Sequence, residues 1–425
     1  MHIVFVTSEI PKKNSYGGGL ATFTANIAKI FASKGNQVEI LYVTTKPQEE
    51  EYDCEVEVRN IYIKKSDWDV YDNVSRIYYG ENNADDNRRE ILCIMKAREV
   101  RDEIYKINKE CKVDIVHFCN HGSFSMLMDG NIPYVIRISG FLNIWLGGAG
   151  TPYGSIEYAE NPLLIRDKLE TYAMKKAPYV FAPSKLLADI GKKNLNIEVD
   201  VLESPFIMEN MKWDEVVYQK HRLDEKKYLL FYGNLRYLKG IQVIADMVHN
   251  MLEKWKDLHM VLAGVDMEVK DDEGNMIKSS EYVKQRAGEY SDRVIYLGKL
   301  RRQELYPVIT HAWACLLPSR IENLSNACIE SMALGKVVIA TDGASFEQLI
   351  VDGENGFLCK RDDAVSFFEG IDKVYGLTPE QKKRIESNAR NTVKRLAPDV
   401  VYENFLNYYQ KAIDEYKRRD CDESL

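Results

Sequence analysis

The chain has 425 residues, which at about 100–200 residues per domain is too long for one ordinary core and predicts two or three domains. Hydrophobic residues make up 45% of the sequence and charged residues 29%, a balance that excludes a largely disordered chain. The 57 basic and 65 acidic residues give a net charge of −8, which argues against a protein that binds nucleic acid through its overall charge.

Cysteine usage and hydropathy indicate whether disulfides, a metal site or a membrane helix are expected. The eight cysteines are scattered, so we expect reduced thiols rather than a disulfide framework. Metal ligands are not clustered in the sequence apart from the weak group His117, Cys119 and His121, so no metal site is expected. No signal-peptide pattern opens the chain, and no run reaches the roughly 18 apolar residues that a membrane helix needs. These features predict a soluble, cytoplasmic protein.

The first half of the chain alternates buried strands with amphipathic helices. Residues 2–7 (HIVFVT) form a continuous apolar run, and a glycine-rich loop and a helical pattern follow them. Strand, glycine-rich loop, helix and strand make one βαβ unit of a doubly wound sheet. The same alternation predicts strands at 37–43, 113–118, 133–138 and 179–182, and helices at 20–34, 86–110 and 163–176.

The pattern changes near Pro205, because residues 207–227 are charged and irregular and have the character of a linker. A second alternation then starts with residues 228–232 (YLLFY) and a glycine-rich turn. It predicts further strands at 258–263, 293–297, 313–317 and 336–341, and helices at 241–255, 279–289, 302–311, 326–334 and 345–350. The two alternations predict two α/β domains with doubly wound sheets, whose ligands bind at the carboxyl ends of the strands.

We assign residues 1–205 to an N-terminal Rossmann-like domain and residues 206–397 to a C-terminal one. The last segment carries apolar residues at i, i+3 and i+4, which is typical of a helix with one buried stripe. We expect this helix, at 398–420, to pack back on the first domain.

Two carboxylates give the strongest chemical signal. Glu322 follows the predicted strand WACLL, and Glu330 lies eight residues later, inside a predicted helix for which Ser325 is a suitable N-cap. Carboxylates beside the free N–H groups of a helix start suit a hydroxyl-rich or anionic ligand such as a nucleotide sugar. Spacing alone leaves a second interpretation open, in which Glu322 is a solvated loop acid and Glu330 an ordinary exposed helix position.

The block PSRIENLSNACIESMALGKVVIAT resembles the E-x7-E signature of the retaining glycosyltransferases of family four, the group one glycosyltransferases. The preceding run RVIYLGKLRRQELYPVITHAWACLLPS and the following run TDGASFEQLIVDGENGFL are similar to the flanking runs of that family. The resemblance covers most of residues 228–360 and, more loosely, the first domain. It implies the GT-B fold, in which two Rossmann-like domains face a central cleft and bind the acceptor and the donor respectively.

By that resemblance the second domain holds a nucleotide diphosphate sugar. Glu330 is implied to bind the ribose hydroxyls, and Glu322 to hold the transferred sugar. The resemblance also places several residues at the donor, namely Gly264 and Lys299 at the base pocket and Ser319, Asn323, Leu324 and Ser325 beside the sugar.

The turn FYGNLRYLKG resembles the family's G-R-L-x-x-x-K-G turn, in which arginine and lysine hold the donor diphosphate. Lys239 aligns directly, whereas Asn234 replaces the arginine and the nearest arginine is Arg236. A departing diphosphate needs cationic donors to offset its charge. The resemblance therefore implies catalytic roles for Lys239 and Glu322, with Arg236 as a displaced second cation. An alternative stays open, in which both cations are solvated turn residues.

The glycines at 17–19 lie between a strand and a helix, where they allow a close approach of the backbone to a phosphate or simply permit a tight turn. The run G-G-L-A resembles the loop of the same superfamily, most closely its glycogen and starch synthase version. That resemblance implies that Gly18 and Gly19 contact the donor phosphates or the acceptor.

The run PYVIRISG departs from the family, because many members have a histidine where this sequence has Ser139. Serine cannot act as a general base or a cation, which puts the usual acceptor contact in doubt. We therefore name Arg137, Ser139 and His121 as candidate acceptor contacts, each with a structural role as the alternative.

The sequence thus predicts a metal-independent, retaining hexosyltransferase without a cofactor. Its partners are a nucleotide-sugar donor and a hydroxyl acceptor (a glycan, a lipid-linked sugar or a small molecule), as in cell-surface polysaccharide or glycoconjugate synthesis. Peripheral contact with the inner face of the membrane is left open, and nucleic acid is not expected. Two alternatives remain, a catalytically inactive nucleotide-sugar-binding subunit and a nucleotide-sugar epimerase of the same fold.

Overall fold

The computed structural model describes residues 1–13, 17–47, 51–80, 84–144, 153–156, 165–208 and 211–423. The chain forms two compact units. Unit 1 comprises Met1–Asn143, Tyr158–Ile207 and Leu396–Leu425, and unit 2 comprises Ile144–Glu157 and Met208–Arg395. The boundary thus lies two residues beyond the one expected from the sequence, and a short segment of the first half is grouped with unit 2.

Unit 1 is built on a seven-stranded parallel sheet in the order β3-β2-β1-β4-β5-β6-β7. Its strands are β1 (His2–Thr7), β2 (Gln37–Thr44), β3 (Glu57–Tyr62), β4 (Ile115–Cys119), β5 (Tyr134–Arg137), β6 (Val180–Ala182) and β7 (Asp200–Val201). Its helices are α1 (Gly19–Ser33), α2 (Lys65–Tyr79), α3 (Ala84–Glu110), α4 (Ile165–Lys176) and α5 (Lys185–Leu195), with a last helix, Pro398–Glu423, described below. The central strands β1, β4 and β5 are buried at every position, as expected where helices cover both faces of a parallel sheet.

The C-terminal helix packs on unit 1. Its residue Phe405 is fully buried and lies 5.4 Å, ring to ring, from Phe181 of β6. Tyr409 is also fully buried, and its hydroxyl lies 2.6 Å from Nδ1 of His117. His117 is therefore a core histidine with a hydrogen-bond partner, not a surface ligand.

The pKa of His117 is lowered to about 3, because full burial and the nearby Arg137 both disfavour the imidazolium. Between about pH 6.5 and pH 3 the unfolded chain binds a proton that native His117 does not, so the free energy of unfolding falls as the pH drops through that window. We expect His117→Gln to make this fall shallower, since glutamine does not titrate. Urea unfolding of wild type and His117→Gln at pH 7, 5 and 4 measures the free energies of unfolding. The same pH dependence in both proteins would contradict a lowered pKa of His117.

Unit 2 is built on a six-stranded parallel sheet in the order β12-β9-β8-β13-β14-β15 and carries a separate antiparallel hairpin, β10-β11. The strands are β8 (Lys227–Tyr232), β9 (Leu258–Ala263), β10 (Glu268–Lys270), β11 (Met276–Lys278), β12 (Val294–Tyr296), β13 (Ala314–Leu317), β14 (Val338–Thr341) and β15 (Phe357–Cys359). The helices are α6 (Val216–Lys220), α7 (Ile241–Lys254), α8 (Ser279–Ala287), α9 (Arg302–His311), α10 (Asn326–Ala333), α11 (Ala364–Tyr375) and α12 (Pro379–Val393), and the C-terminal helix of unit 1 is then α13 (Pro398–Glu423).

The prediction of two doubly wound parallel α/β domains is confirmed. Two local predictions in unit 2 were wrong. The helix expected at 345–350 is a single 3₁₀ turn, Phe346–Gln348, that starts after Ser345 with a positive φ of 82°. The segment 207–227, expected to be a linker and a surface segment without a buried core, contains helix α6, whose Tyr218 is buried against the core of unit 2.

Candidate active site

The carboxyl ends of three neighbouring strands of unit 2 are joined by tight backbone contacts. The N–H of Gly233, after β8, donates to Ala263 of β9, and the N–H of Gly264 donates to Gly298 after β12. Gly264 has a φ of +137°, and a Cβ on it would lie 1.6 Å from the carbonyl oxygen of Gly233. Gly264, which the resemblance places at the base pocket, is therefore required by the packing of the backbone as well.

The turn after β8 packs against the loop after β13. Gly240 caps helix α7 with a φ of +81°, and a Cβ on it would lie 2.0 Å from the carbonyl oxygen of Pro318. The N–H of Arg320 donates to the carbonyl of Leu238 at 2.9 Å. These contacts place Lys239 beside the residues that follow β13.

Lys239 and Glu322 form an ion pair, with Nζ 2.5 Å from Oε1. Glu322 is buried, and its N–H donates to the carbonyl of Ala344 at 3.0 Å, which fixes the loop that carries it. Burial lowers the pKa of Arg236, and the charge of Glu322 opposes that shift. The structure thus brings Arg236, Lys239 and Glu322 together, whereas the side chain of Asn234 is exposed to solvent.

Helix α10 begins next to Glu322, as the sequence predicts. The hydroxyl of Ser325 accepts a hydrogen bond from the N–H of Cys328, so the predicted N-cap is confirmed. The carbonyl of Asn323 accepts a bond of 2.6 Å from the hydroxyl of Ser345. Ser319 and Leu324, the other members of this predicted set, are buried.

Glu330 lies in α10 and faces a cation that the sequence analysis did not single out. Nε of Arg302, the first residue of α9, is 3.7 Å from Oε1 of Glu330. On the inner side of α10, the hydroxyl of Tyr232 donates to the carbonyl of Ala327, and burial raises the pKa of this tyrosine well above its usual value. Lys299, after β12, is exposed. The only sequence signal for Arg302 was a basic residue at the start of a predicted helix.

The glycine loop of unit 1 starts helix α1, with Gly18 as the N-cap and Gly19 as the first helical residue. A Cβ on Gly18 would lie 3.0 Å from Oε2 of Glu9. Among the described residues, a carboxylate thus lies beside this position of the loop, which opposes an anion there. The geometry allows a close approach to the backbone but does not by itself favour a phosphate.

Arg137 is buried at the end of β5. Its guanidinium donates to the hydroxyls of Ser139, at 2.6 Å, and Ser204, at 3.3 Å, and lies 4.1 Å from the ring centre of Phe23. Burial lowers its pKa to about 10. Since only 4% of Arg137 is exposed, the structure does not present its guanidinium to a ligand in solvent.

A buried carboxylate that the sequence analysis missed links His121 to Ser139. Glu170 of α4 accepts hydrogen bonds from the N–H of Gly122 at 3.2 Å and from the amide of Asn120 at 3.3 Å, and Nδ1 of His121 lies 3.7 Å from its Oε2. Asn120 in turn accepts from the N–H of Ser139 at 2.8 Å. A glutamate inside a helical pattern carries no sign of this role in the sequence.

Among the residues that the structure describes, no three His, Cys, Asp or Glu side chains are grouped so that they could hold a metal ion. Among those same residues, no helix is long and apolar enough to cross a membrane.

Residues 215–392 match the family model described as "Glycosyl transferases group 1". The putative glycosyltransferase EpsD of Bacillus subtilis is 27% identical over 46% of this chain, and the match spans 49% of its own length. An uncharacterised glycosyltransferase of Methanocaldococcus jannaschii is 20% identical over 97% of this chain and 99% of its own.

Two solved structures resemble the whole chain. Sucrose-phosphate synthase from Thermosynechococcus elongatus has a TM-score of 0.69 at 14% identity and covers 97% of this chain and 99% of its own. Anabaena HepE, in complex with UDP and glucose, has a TM-score of 0.65 at 15% identity and covers 97% and 100%. Identities this low show the fold alone. The match to the group 1 glycosyltransferases is thus confined to residues 215–392, and the two parallel-sheet units have the GT-B fold.

Proposed function

We propose that this protein is a retaining glycosyltransferase that moves a sugar from a nucleotide diphosphate sugar to a hydroxyl acceptor without a divalent metal. The observation that carries the proposal is the convergence of Arg236, Lys239 and Glu322 at the carboxyl edge of the unit 2 sheet, beside the start of α10. The complex of HepE with UDP and glucose, a protein of the same fold, supports a nucleotide-sugar donor.

In the proposed reaction, the bond between the anomeric carbon and the diphosphate oxygen breaks, and a bond from the acceptor oxygen to the same face of that carbon forms. The leaving phosphate takes the proton of the acceptor hydroxyl. Lys239 and Arg236 offset the charge on the departing diphosphate, and Glu322 with the N–H groups at the start of α10 holds the sugar. Lys239 must then share its charge between Glu322 and the phosphate.

We further propose that His121 and Ser139 contact the acceptor. Arg137 is buried under both the Phe23 ring and the Ser139 hydroxyl, so its part is to orient that hydroxyl. Glu170 and Asn120 hold the two candidates in a fixed relation. A glycan, a lipid-linked sugar or a small molecule remains the proposed acceptor class, as in cell-surface polysaccharide synthesis by a cytoplasmic enzyme.

The second candidate function is a nucleotide-sugar-binding subunit without catalysis, which the absence of an arginine at Asn234 and of a histidine at Ser139 favours. The Lys239–Glu322 pair opposes this alternative, because it retains the cation that departure of a diphosphate requires. An epimerase of the same fold is separated by its product, since it changes the configuration of the donor sugar in the absence of acceptor.

The proposal can be tested with a panel of UDP-, GDP-, ADP- and dTDP-sugars. Each donor is assayed with and without a mixture of sugar and lipid-linked acceptors. We expect one donor to release nucleoside diphosphate only when an acceptor is present. Conversion of the donor to an epimeric sugar without any acceptor would support the epimerase. Binding without release would support the inactive subunit, and binding of no nucleotide would contradict all three.

The same panel identifies the nucleotide for a test of Glu330. We expect Glu330→Ala to weaken binding of that nucleoside diphosphate by about tenfold, because removal of a hydrogen-bonding carboxylate costs about 1.5 kcal/mol. Titration calorimetry of both proteins measures the change. Equal dissociation constants would remove the ribose assignment.

A further inference from the structure

We infer that Arg302 is a positioning residue, which orients the carboxylate of Glu330 for recognition of the donor ribose. The identity of the ligand rests on the proposed function. The pairing itself rests on the structure, where Nε of Arg302 lies 3.7 Å from Oε1 of Glu330.

The pair joins two helices that are each anchored in the core of unit 2. Helix α9, which begins at Arg302, buries Tyr306, Val308 and Ile309. Helix α10 buries Cys328, Ile329, Ser331 and Met332. Because both backbones are fixed, the separation of the two side chains is set by the fold rather than by a mobile loop.

The burial of the pair distinguishes it from a surface ion pair. The side chain of Arg302 is 28% exposed and that of Glu330 is 12% exposed. A partly buried pair is less screened by salt than one in water, so it restricts the carboxylate more strongly. The neighbouring Arg301 is in a different situation, since it is 53% exposed and pairs with Glu304 and Asp214.

Each glutamate of the E-x7-E pair thus has its own cation, Lys239 for Glu322 and Arg302 for Glu330. An ionised carboxylate can accept about four hydrogen bonds, so Glu330 can hold Arg302 and two ribose hydroxyls together. Orientation before binding reduces the entropy that the ligand must overcome, and the positive charge reduces the repulsion between Glu330 and the diphosphate.

The test compares Arg302→Gln with wild type, and uses Arg301→Gln as the matched control because it removes the same charge one residue away. The probes are UDP and its 2′-deoxy and 3′-deoxy analogues, or the same series on the base that the donor panel selects. Titration calorimetry gives the dissociation constants, and initial rates with the matching nucleotide sugar give KM and kcat.

We expect wild type to bind one deoxy analogue about tenfold more weakly than the ribonucleotide, as expected for one lost hydrogen bond to a charged group. In Arg302→Gln this ratio should shrink to about twofold, with KM for the donor raised about tenfold and kcat nearly unchanged. Arg302→Lys should restore part of the ratio, and Arg301→Gln should keep it.

Two results would overturn the inference while the proposed function stands. These are an unchanged ratio in Arg302→Gln, which includes an equal loss for the ribonucleotide and both analogues, and a loss in kcat alone. If wild type binds no nucleotide while circular dichroism shows it folded, the proposed function itself fails. The two failures are therefore distinguishable.

Discussion

Replacement of Lys239 by methionine should lower turnover by about 100-fold or more, the loss seen when one preorganised donor to a developing negative charge is removed. Methionine keeps the length of the side chain and removes its charge. Lys239 is only 23% exposed and lies 2.5 Å from Glu322, so water cannot readily replace the ammonium. The measurement is the initial rate of nucleotide release with the donor and acceptor that the panel selects.

Two variants make the result specific. Lys254→Met removes the lysine at the C-terminal end of α7, which is 44% exposed and pairs with Asp372, and we expect its turnover to stay within about twofold of wild type. The double variant Lys239→Met/Glu322→Gln shows whether the loss of turnover in Lys239→Met comes only from leaving the carboxylate of Glu322 without its cation. Recovery of turnover in the double variant, or an unchanged rate in Lys239→Met, would contradict the diphosphate assignment.

Replacement of Gly264 by alanine should lower the free energy of unfolding of unit 2 by about 3 kcal/mol or more, from backbone strain and overpacking together. A Cβ at this position would lie 1.6 Å from the carbonyl oxygen of Gly233, at a φ of +137°. Neither backbone can move without breaking the hydrogen bond from Gly233 to Ala263 at the edge of the site. Hydrogen exchange of the β9 amides measures the stability of this unit.

The control for this prediction is Gly274→Ala, in the turn of the β10-β11 hairpin. Gly274 also has a positive φ, +89°, but a Cβ on it meets nothing within 4 Å. Gly274→Ala therefore introduces backbone strain without a steric clash, and we expect it to lower the free energy of unfolding by about 1 kcal/mol. Equal losses of unfolding free energy in the two variants would show that the close approach to Gly233 is not the reason why position 264 requires glycine.

The sequence predicted the parallel core of both units because buried strands appear as continuous apolar runs between helical patterns. Strands such as β1 and β8 were found with errors of one residue or none. Shorter edge elements were missed. β15 has three residues, and the hairpin β10-β11 is largely exposed, so neither leaves a periodic pattern long enough to recognise.

The site was predictable only where local rules or the family motif applied. The N-cap Ser325 follows from residue type and position, and the resemblance named Lys239, Glu322 and Glu330. Arg302 and Glu170 were missed because their partners lie 28 and 50 residues away, at Glu330 and Asn120, and sequence spacing does not report contacts between helices and distant strand ends.

The acceptor side shows a different limit. Arg137 was named as a strand-end residue and Ser139 because many members of the family have a histidine at its position, but burial decides what each can do. The structure places the guanidinium of Arg137 in the core and leaves Ser139 partly exposed, so the two candidates form one unit rather than two independent contacts. Burial of a strand-end arginine depends on the helix packed over it, here through Phe23 of α1.

We propose that unit 2 binds the nucleotide diphosphate at the Lys239–Glu322 edge of its sheet. Hydrogen–deuterium exchange of the full chain, with and without saturating nucleoside diphosphate, tests it most directly. We expect slower exchange in the turn at 233–240, around Gly264, and in the loop and helix at 319–330. Slower exchange confined to unit 1, or no change in unit 2 at a nucleotide concentration that calorimetry shows to be saturating, would contradict it.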